Sequence, residues 1–360
     1  MSNALMNILR AVSTKSTIPA LEGVLIQAYD GELVLTGYDM EIAMITEIEA
    51  TVEEKGEVVV SARLLADIVR KMPEEIVEIS TDERLITYIK SGSADHQIVG
   101  ISSMEYPELP NFDSEDELII QAGLLRDMIR QTIYAVSDIK EVPVYTGSLY
   151  EMTENQLRIV ALDGFRMAIR TEQVKCEKVP PFIVPAKTQA EMMRLITDEE
   201  EDIKLNIGKR HISYVIGKYT IVSRLIEGLF IDYNSTIPTE ASTEFVIKTR
   251  KLLDAVERVS LITTDKIKTP IRWRISNDTL TLLCNTNIGK AKDYIEVEYI
   301  GEDVSIAFNH RFLIDALKNA DSDEVKIKIS GSLKPMIMTP VKGDSFLFVV
   351  VPMRVSDDLT

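Results

Sequence analysis

Cysteine, histidine and aromatic residues are scarce in this sequence of 360 residues. It contains 2 cysteines, 3 histidines and 1 tryptophan, and aromatic residues make up 6% of the chain. Two widely separated cysteines argue against a disulfide framework and fit a reducing compartment. No apolar run reaches the length of a membrane span, and the N-terminus lacks the basic start and apolar core of a signal peptide. We therefore expect a cytoplasmic protein.

Recognisable enzyme motifs are missing too. His96, His211 and His310 lie far apart in the sequence, with none of the spacings that hold a metal ion. Neither a glycine-rich phosphate-binding motif nor a nucleophile elbow occurs. The sequence therefore predicts no metal, no cofactor and no catalytic residue. An enzyme that acts on a small ligand in a cleft between domains remains an alternative, which detectable turnover would support.

Acidic residues outnumber basic ones by 57 to 40, and the formal net charge is −17. Taken as a total, this charge argues against nucleic acid binding, which requires Lys and Arg at the phosphates. A total does not say where the charges lie, however, so their distribution along the chain decides the matter.

What the sequence does contain is a threefold internal repeat. Three features recur at offsets of 124 and then 123 residues: the end of a helical pattern, an apolar strand before a polar turn, and a strand-to-helix junction. The equivalent positions are Ser13, Ser137 and Ser260 for the first feature, Leu33, Leu157 and Leu280 for the second, and Ala62, Ala186 and Asn309 for the third. Three features with one offset predict three copies of one domain, at 1–117, 118–242 and 243–360.

Each copy has the pattern of an α+β domain. An amphipathic helix is followed by strands, a second helix and more strands, which predicts two helices packed on antiparallel sheets. The predicted helices are 4–14, 61–72, 122–136, 186–196, 249–259 and 308–320. Domains joined head to tail form an arc with an unpaired sheet edge at each end, and pairing these edges between copies closes a ring.

The basic residues are concentrated in the six predicted helices. These helices carry 13 Lys or Arg and 6 Asp or Glu, whereas the rest of the chain carries 27 and 51. Helix propensity explains part of this bias. Helices gathered on one side would nevertheless form a positive surface that binds a polyanion without reading bases. The helical candidates for facing DNA are Arg10, Arg63, Arg70, Lys71, Arg126, Arg130, Lys187, Arg194, Arg250, Lys251, Arg258, Arg311 and Lys318.

Several segments resemble the bacterial DNA polymerase III β subunit, or sliding clamp, family. LDGFRMAIR at 162–170 is similar to the family's Thr-Asp-Gly-His-Arg-Leu-Ala segment, and VVVPMRV at 349–355 is similar to its Met-Pro-Met-Arg-Leu terminus. TIPALEGVLI, GYDMEIAM, FIVPAK and EGLFIDY match in the same order, so the resemblance covers the whole chain. It implies a non-enzymatic, head-to-tail homodimer whose six domains form a ring around duplex DNA, with helices lining the hole.

The resemblance also implies individual site residues. It places a hydrophobic pocket between the second and third domains, where short linear motifs of polymerase, clamp loader and repair proteins bind. Its residues would be Tyr145, Leu162, Gly164, Phe165, Arg166, Met167, Ile231, Ile267, Pro335, Val349, Val350, Pro352, Met353 and Arg354. Lys15 matches a basic family position at DNA, Lys140 is a further loop candidate, and His96, Leu261 and Ile262 would lie at the dimer seam.

Some positions depart from the family pattern. Phe165, Leu162 and Val142 stand where the family commonly has His, Thr and Arg, and Thr236 replaces an apolar residue of the pocket. Asp95 and His96 stand where the seam often has a basic and an aromatic residue, and the tail 356–360 runs past the usual end. These departures motivate an alternative: a divergent second clamp or clamp-like scaffold that binds proteins without being the main replicative clamp. The leading function predicts a protein associated with the nucleoid.

Overall fold

The computed structural model describes residues 1–110, 116–263 and 269–354. The first repeat contains α1 (Ser2–Ile8), β1 (Gly23–Tyr29), β2 (Glu32–Tyr38), β3 (Ile42–Glu49), β4 (Gly56–Ser61), α2 (Ala62–Arg70), β5 (Glu78–Thr81), β6 (Ile86–Ser91) and β7 (Ala94–Val99). The second contains β8 (Asp116–Gln121), α3 (Ala122–Ile133), β9 (Gly147–Thr153), β10 (Gln156–Leu162), β11 (Arg166–Gln173), β12 (Val179–Pro185), α4 (Ala186–Leu195), β13 (Asp202–Ile207), β14 (His211–Ile216) and β15 (Tyr219–Arg224). The third contains β16 (Thr243–Lys248), α5 (Thr249–Ser260), β17 (Ile271–Ser276), β18 (Thr279–Thr286), β19 (Gly289–Glu296), β20 (Tyr299–Gly301), β21 (Val304–Phe308), α6 (His310–Asn319), β22 (Glu324–Ile329), β23 (Met336–Pro340) and β24 (Phe346–Val350).

The predicted repeat positions occupy equivalent places in these elements. Leu33, Leu157 and Leu280 are each the second residue of their strand, β2, β10 and β18. Ala62 and Ala186 begin α2 and α4. Asn309 caps α6, where its side-chain oxygen accepts a hydrogen bond from the backbone nitrogen of Arg311 at 3.0 Å. One sequence offset therefore corresponds to one recurring structural unit.

The six predicted helices are present, but the first is shorter than predicted. α1 ends at Ile8 and continues as a 3-10 turn over Leu9–Ala11, because Val12 has an extended backbone with φ −99° and ψ 136°. The predicted helix 4–14 therefore began too late and extended too far. In α2 the predicted apolar face of Leu64, Leu65, Ile68 and Val69 is buried except for Leu64, which is 46% exposed.

The chain divides into two compact units. The first unit consists of Met1–Leu125 and Lys187–Leu225. Its main sheet has eight antiparallel strands in the order β4-β1-β2-β3-β15-β14-β13-β8, and a separate sheet has the order β5-β6-β7. At the centre of the large sheet, β3 of the first repeat pairs with β15 of the second, with Met44 opposite Ile221. Two repeats thus share one continuous sheet.

The second unit consists of Arg126–Ala186 and Ile226–Thr360. It has a nine-stranded sheet in the order β12-β9-β10-β11-β24-β23-β22-β16-β20, and a four-stranded sheet in the order β19-β18-β17-β21. Here β11 of the second repeat pairs with β24 of the third, with Ala168 opposite Phe348. The junction between repeats is therefore built in the same way as in the first unit.

The nine-stranded sheet has a hydrophobic cluster on each face. Phe348 and Val350 point into the larger core, which also contains Val256 of α5 and Leu313 of α6. Leu347 and Val349 belong to a smaller cluster. Because successive residues of a strand point to opposite faces, the smaller cluster lies on the face turned away from the helices.

Candidate peptide groove and cationic helix faces

The smaller cluster forms the apolar floor of the candidate groove. Leu162, Met167 and Val349 are buried in it, beside Leu149, Val160, Ile169, Ile183 and Tyr233. Tyr145 is partly buried at its margin and packs edge to face on Phe230, with ring centroids 5.6 Å apart. The structure thus brings four of the predicted pocket residues together on one sheet face.

A tight turn between β10 and β11 lies at the end of this apolar cluster. One carboxylate oxygen of Asp163 accepts hydrogen bonds from the backbone nitrogens of Phe165 at 2.9 Å and Arg166 at 3.0 Å. Gly164 adopts φ +87°, a conformation that glycine reaches without steric strain. The turn is therefore fixed by its own side chain and backbone, and it presents Phe165 at the surface.

Arg166 is held inside the unit by carboxylates and aromatic rings. Its Nε donates to Asp163 at 3.0 Å, and its Nη1 pairs with Asp315 of α6. The guanidinium carbon lies 4.7 Å from the ring centroid of Phe312 and 5.5 Å from that of Tyr134. Only 14% of the side chain is exposed. Arg166 therefore fastens the turn to α6, and its charge is already compensated by these two acids.

Phe165 and Phe312 form an exposed aromatic ledge. Their rings stack with centroids 6.2 Å apart and an interplanar angle of 20°, and Phe165 remains 58% exposed. Phe312, Asp315 and Tyr134 were absent from the predicted site. The signal that could have found Phe312 is its position in α6, where it lies beside the buried stripe of Leu313, Ala316 and Leu317.

The end of the described chain is hydrogen-bonded beside the turn that carries Phe165. The backbone nitrogen of Val351 donates to the carbonyl oxygen of Phe165 at 2.9 Å, and that of Met353 donates to Ala307 at 2.7 Å. Pro352 and Met353 are partly buried in this segment, and Arg354 is exposed. For Arg354 the described residues provide no ionic partner, which makes it the accessible cation at this edge.

Other predicted pocket residues lie further away or elsewhere. Val350 points into the larger core on the opposite face of β24, so it cannot line the floor that Val349 forms. Ile231 is 44% exposed on the loop after β15, and Pro335 is partly exposed before β23. Ile267 and the tail 356–360 lie outside the described residues.

A small cavity adjoins the apolar floor. Its volume is about 150 Å³, and it lies under the connection from Ile237 to Ala241, against Ile337 and Leu347 of the sheet. It shares Ile237 and Leu347 with the smaller cluster. None of the predicted pocket residues lines it, so it extends the apolar surface in a direction that the sequence did not indicate.

Ion pairs hold many of the cations predicted to face DNA. In the first unit these pairs are Arg10 and Arg194 with Glu191, Arg70 with Asp67, and Lys187 with Asp39. In the second unit they are Arg130 with Asp127, Arg250 with Asp254, Arg258 with Asp293, and Lys318 with Glu257. The described residues provide no such partner for the exposed side chains of Lys15, Arg63, Lys71, Lys140 and Lys251. Arg126 and Arg311 complete the set, on α3 and α6.

The predicted seam residues lie at strand and helix ends. His96 is exposed on β7, where it pairs with Ile89 of β6. Leu261 follows α5 and is 82% exposed, whereas Ile262 is partly buried against the larger core. Within the described residues, β7 is hydrogen-bonded only to β6 and β19 only to β18. Both strands therefore offer one unpaired edge.

The described residues show no cluster of three or more His, Cys, Asp or Glu that could hold a metal ion. Burial raises the pKa of the thiols of Cys176 and Cys284, which keeps both protonated and poorly nucleophilic.

Among the described residues, every helix is too short or too polar to span a bilayer.

Three repeats of helices on shared antiparallel sheets define the DNA-clamp class of folds. Residues 1–110, 119–232 and 234–354 match the N-terminal, central and C-terminal domains of the DNA polymerase III beta subunit. The chain is 31% identical to the beta sliding clamp of Staphylococcus aureus, over 96% of this chain and 95% of that one. It therefore belongs to the DNA polymerase III beta subunit family, the bacterial sliding clamps.

Solved structures agree with this assignment. The sliding clamp of Bacillus subtilis is 27% identical and superposes with a TM-score of 0.96, over 99% of this chain and 97% of that one. The Pseudomonas aeruginosa clamp, solved bound to griselimycin, is 27% identical with a TM-score of 0.92, over 99% and 97% of the two chains.

The family assignment decides between the functions considered from the sequence. Three clamp domains are confirmed as the fold, and sliding clamp function is favoured over a divergent second clamp. Because the family is a non-catalytic processivity factor, the chain is not an enzyme. Family membership also implies DNA and clamp-binding proteins as its partners.

Proposed function

We propose that two copies of this chain form a head-to-tail ring around duplex DNA. The observation that carries the proposal is the pair of unpaired edges on β7 and β19. Pairing β7 of one copy with β19 of another would satisfy both rows of backbone groups, and two such seams would close a dimer. Charge supports this pairing, because β7 carries the exposed Asp95, which pairs with Lys90 of β6 at 3.6 Å, and β19 carries the exposed Lys290 and Lys292.

The three domains of each copy would be 1–117, 118–242 and 243–360, with the first boundary moved ahead of β8, which begins at Asp116. Their helices would face the DNA. The cations on and near these helices support non-specific contact with phosphates. A clamp that slides must tolerate every sequence, so we expect contacts to phosphates rather than to base edges. Retention would come from the closed ring, so we expect weak and salt-sensitive DNA affinity. Such a protein would be found at the nucleoid.

The groove of the second unit would bind short linear motifs of the DNA polymerase III catalytic subunit, the clamp loader and repair proteins. Its floor of Leu162, Met167 and Val349 is apolar, although these side chains are nearly covered in the free chain. The ledge of Phe165 and Phe312 offers the exposed aromatic surface. Arg354 would meet acidic or carbonyl groups of the peptide. Binding at this site would tether each partner to DNA and confer processivity.

Retention on DNA of two topologies tests the proposal. The chain is loaded onto a nicked circular duplex with a bacterial clamp loader, and the bound fraction is followed by gel filtration. The same complexes are then linearised with a restriction enzyme. We expect lasting retention on circles and rapid loss from linear DNA with free ends. Equal loss from both substrates would contradict encirclement.

A further inference from the structure

We propose that acidic residues on the helix faces compete with DNA phosphates for the DNA-facing cations, and so keep the clamp's hold on DNA weak enough for sliding. The residues are Asp67, Asp127, Asp254 and Glu257. The inference rests on the proposed encirclement of DNA. It explains a feature that a purely attractive surface would not have, namely carboxylates within ion-pair distance of the cations that bind the polyanion.

Asp67 has a counterpart, Glu191, at the equivalent place in the second repeat. Asp67 and Arg70 of α2 pair at 2.7 Å. Glu191 and Arg194 of α4 pair in the same i, i+3 arrangement, at positions 124 residues later. Glu191 also reaches Arg10 at 3.3 Å. The same pairing of acid and arginine is therefore present on two helices of the repeat.

The second unit achieves the same pairing by other spacings. Its pairs are Asp127 with Arg130 at 3.3 Å, Asp254 with Arg250 at 2.9 Å, and Glu257 with Lys318 at 2.9 Å. The pair of Glu257 and Lys318 joins α5 to α6, and the pair of Asp254 and Arg250 spans one turn of α5. Carboxylates thus accompany cations on each of the helices α3, α5 and α6.

These pairs are open to solvent, which limits their value for folding. The side chains of Asp67, Asp127, Asp254 and Glu257 are between 37% and 56% exposed. Exposed ion pairs contribute little to stability, because water and salt screen them and the side chains lose freedom. Their effect on an arriving phosphate is larger. The cation must leave its partner, and the abandoned carboxylate then repels the phosphate.

We expect a specific change in the salt dependence of DNA binding. The logarithm of the binding constant falls with the logarithm of salt in proportion to the number of phosphates neutralised. The triple variant D67N/D127N/D254N leaves each side chain its shape and removes three competing charges. Each cation that it frees for a phosphate should steepen the slope by about 0.9. Affinity at low salt should rise accordingly.

Three ion pairs away from the helices provide a matched control. Asp30 pairs with Lys55 at 2.7 Å, Glu117 with Lys204 at 2.6 Å, and Glu244 with Lys326 at 2.5 Å. The variant D30N/E117Q/E244Q removes the same net charge from the turn after β1 and from β8 and β16. A general gain of positive charge would affect both variants alike, whereas freed DNA-facing cations would steepen the slope in the helix variant alone.

The measurement is the anisotropy of a labelled short linear duplex, titrated with wild type and both variants from about 50 to about 200 mM salt. A steeper slope and tighter binding in the helix variant, with the control variant near wild type, supports the inference. Equal slopes in the two variants overturn it. So does a lowered melting temperature of the helix variant with an unchanged slope, because the acids would then serve helix stability.

A single substitution protects the test against misfolding. D67N alters one exposed pair and should steepen the slope by up to about 0.9 per chain if the triple variant does not fold. Retention of wild type on circular DNA distinguishes a failure of this inference from a failure of the proposed encirclement. Wild type that stays on circles while the slopes are equal overturns only this inference. Wild type that is lost equally from circles and linear DNA overturns the encirclement and, with it, the inference.

Discussion

Asp163 accepts a hydrogen bond from the backbone nitrogen of Phe165 at 2.9 Å, and it thereby fixes the turn that presents this phenyl ring. One repeat earlier, Asp39 makes the same turn, with hydrogen bonds from Glu41 at 3.0 Å and Ile42 at 2.8 Å. The two turns share their geometry, with φ +74° at Met40 and +87° at Gly164, and the turn of the second unit lies beside the proposed peptide groove.

The two equivalent aspartates allow a mutation at the proposed peptide site to be compared with a matched control. D163A should weaken the binding of a polymerase-derived peptide by about tenfold, or about 1.4 kcal/mol, because the turn loses its carboxylate and Arg166 loses a partner. D39A removes the equivalent carboxylate from the first unit and should leave peptide affinity unchanged. Isothermal titration with both variants checks this, and equal losses would place the peptide site elsewhere.

The aromatic ledge should contribute to peptide affinity directly. F165A removes one ring of the stack and should cost about 1 kcal/mol of binding, roughly a fivefold loss. L229A alters a residue of the nearby loop that is 94% exposed, and it should have no effect. Fluorescence anisotropy of a labelled peptide measures both. Unchanged affinity in F165A would show that the peptide does not contact the ledge.

Ring closure should depend on Leu261. This side chain is 82% exposed in the single chain. L261D would bury a charge at the seam and should reduce the free energy of dimerisation by about 2 kcal/mol, roughly a thirtyfold weaker dimer. I300D places the same charge on β20, at a side chain that is 80% exposed but outside the proposed seam. Analytical ultracentrifugation should show monomers for L261D and dimers for I300D. Two dimeric variants would contradict the proposed seam.

His310 should make stability sensitive to mild acid. Burial lowers its pKa, so the folded state takes up a proton less readily than the unfolded state. The stabilisation linked to neutral His310 is therefore fully present above the ordinary histidine pKa of about 6.5. This contribution to the free energy of unfolding is lost as the pH falls below that value. H310Q lacks this titrating group. Between pH 7.5 and pH 5.5, its melting temperature should fall less than that of wild type, and parallel curves would contradict the prediction.

The repeated architecture could be predicted because it depends on the hydrophobic periodicity of short segments that recur along the sequence. Leu33, Leu157 and Leu280 mark the same point of the same strand three times, and the helix starts at Ala62 and Ala186 follow from amphipathic periodicity. The end of α1 could not be predicted in this way. Its apolar pattern continues to Val12, but the backbone turns extended there.

The site was predicted less completely, for physical reasons. The roles of Arg166 and Phe312 depend on contacts between residues more than 140 positions apart, which no local pattern encodes. Val350 was assigned to the groove together with Val349, although neighbours on a strand face opposite ways. Ion pairs such as that of Lys318 with Glu257 could not be predicted from the sequence either, because they join separate helices.

The most direct test of the central claim is the solution mass of the intact protein, combined with electron microscopy of the same sample. We expect a particle of two chains, about twice the 40.5 kDa of one chain, with a central opening wide enough for duplex DNA and with helices lining it. A monomer at micromolar concentration, or a dimer without an opening, would contradict it.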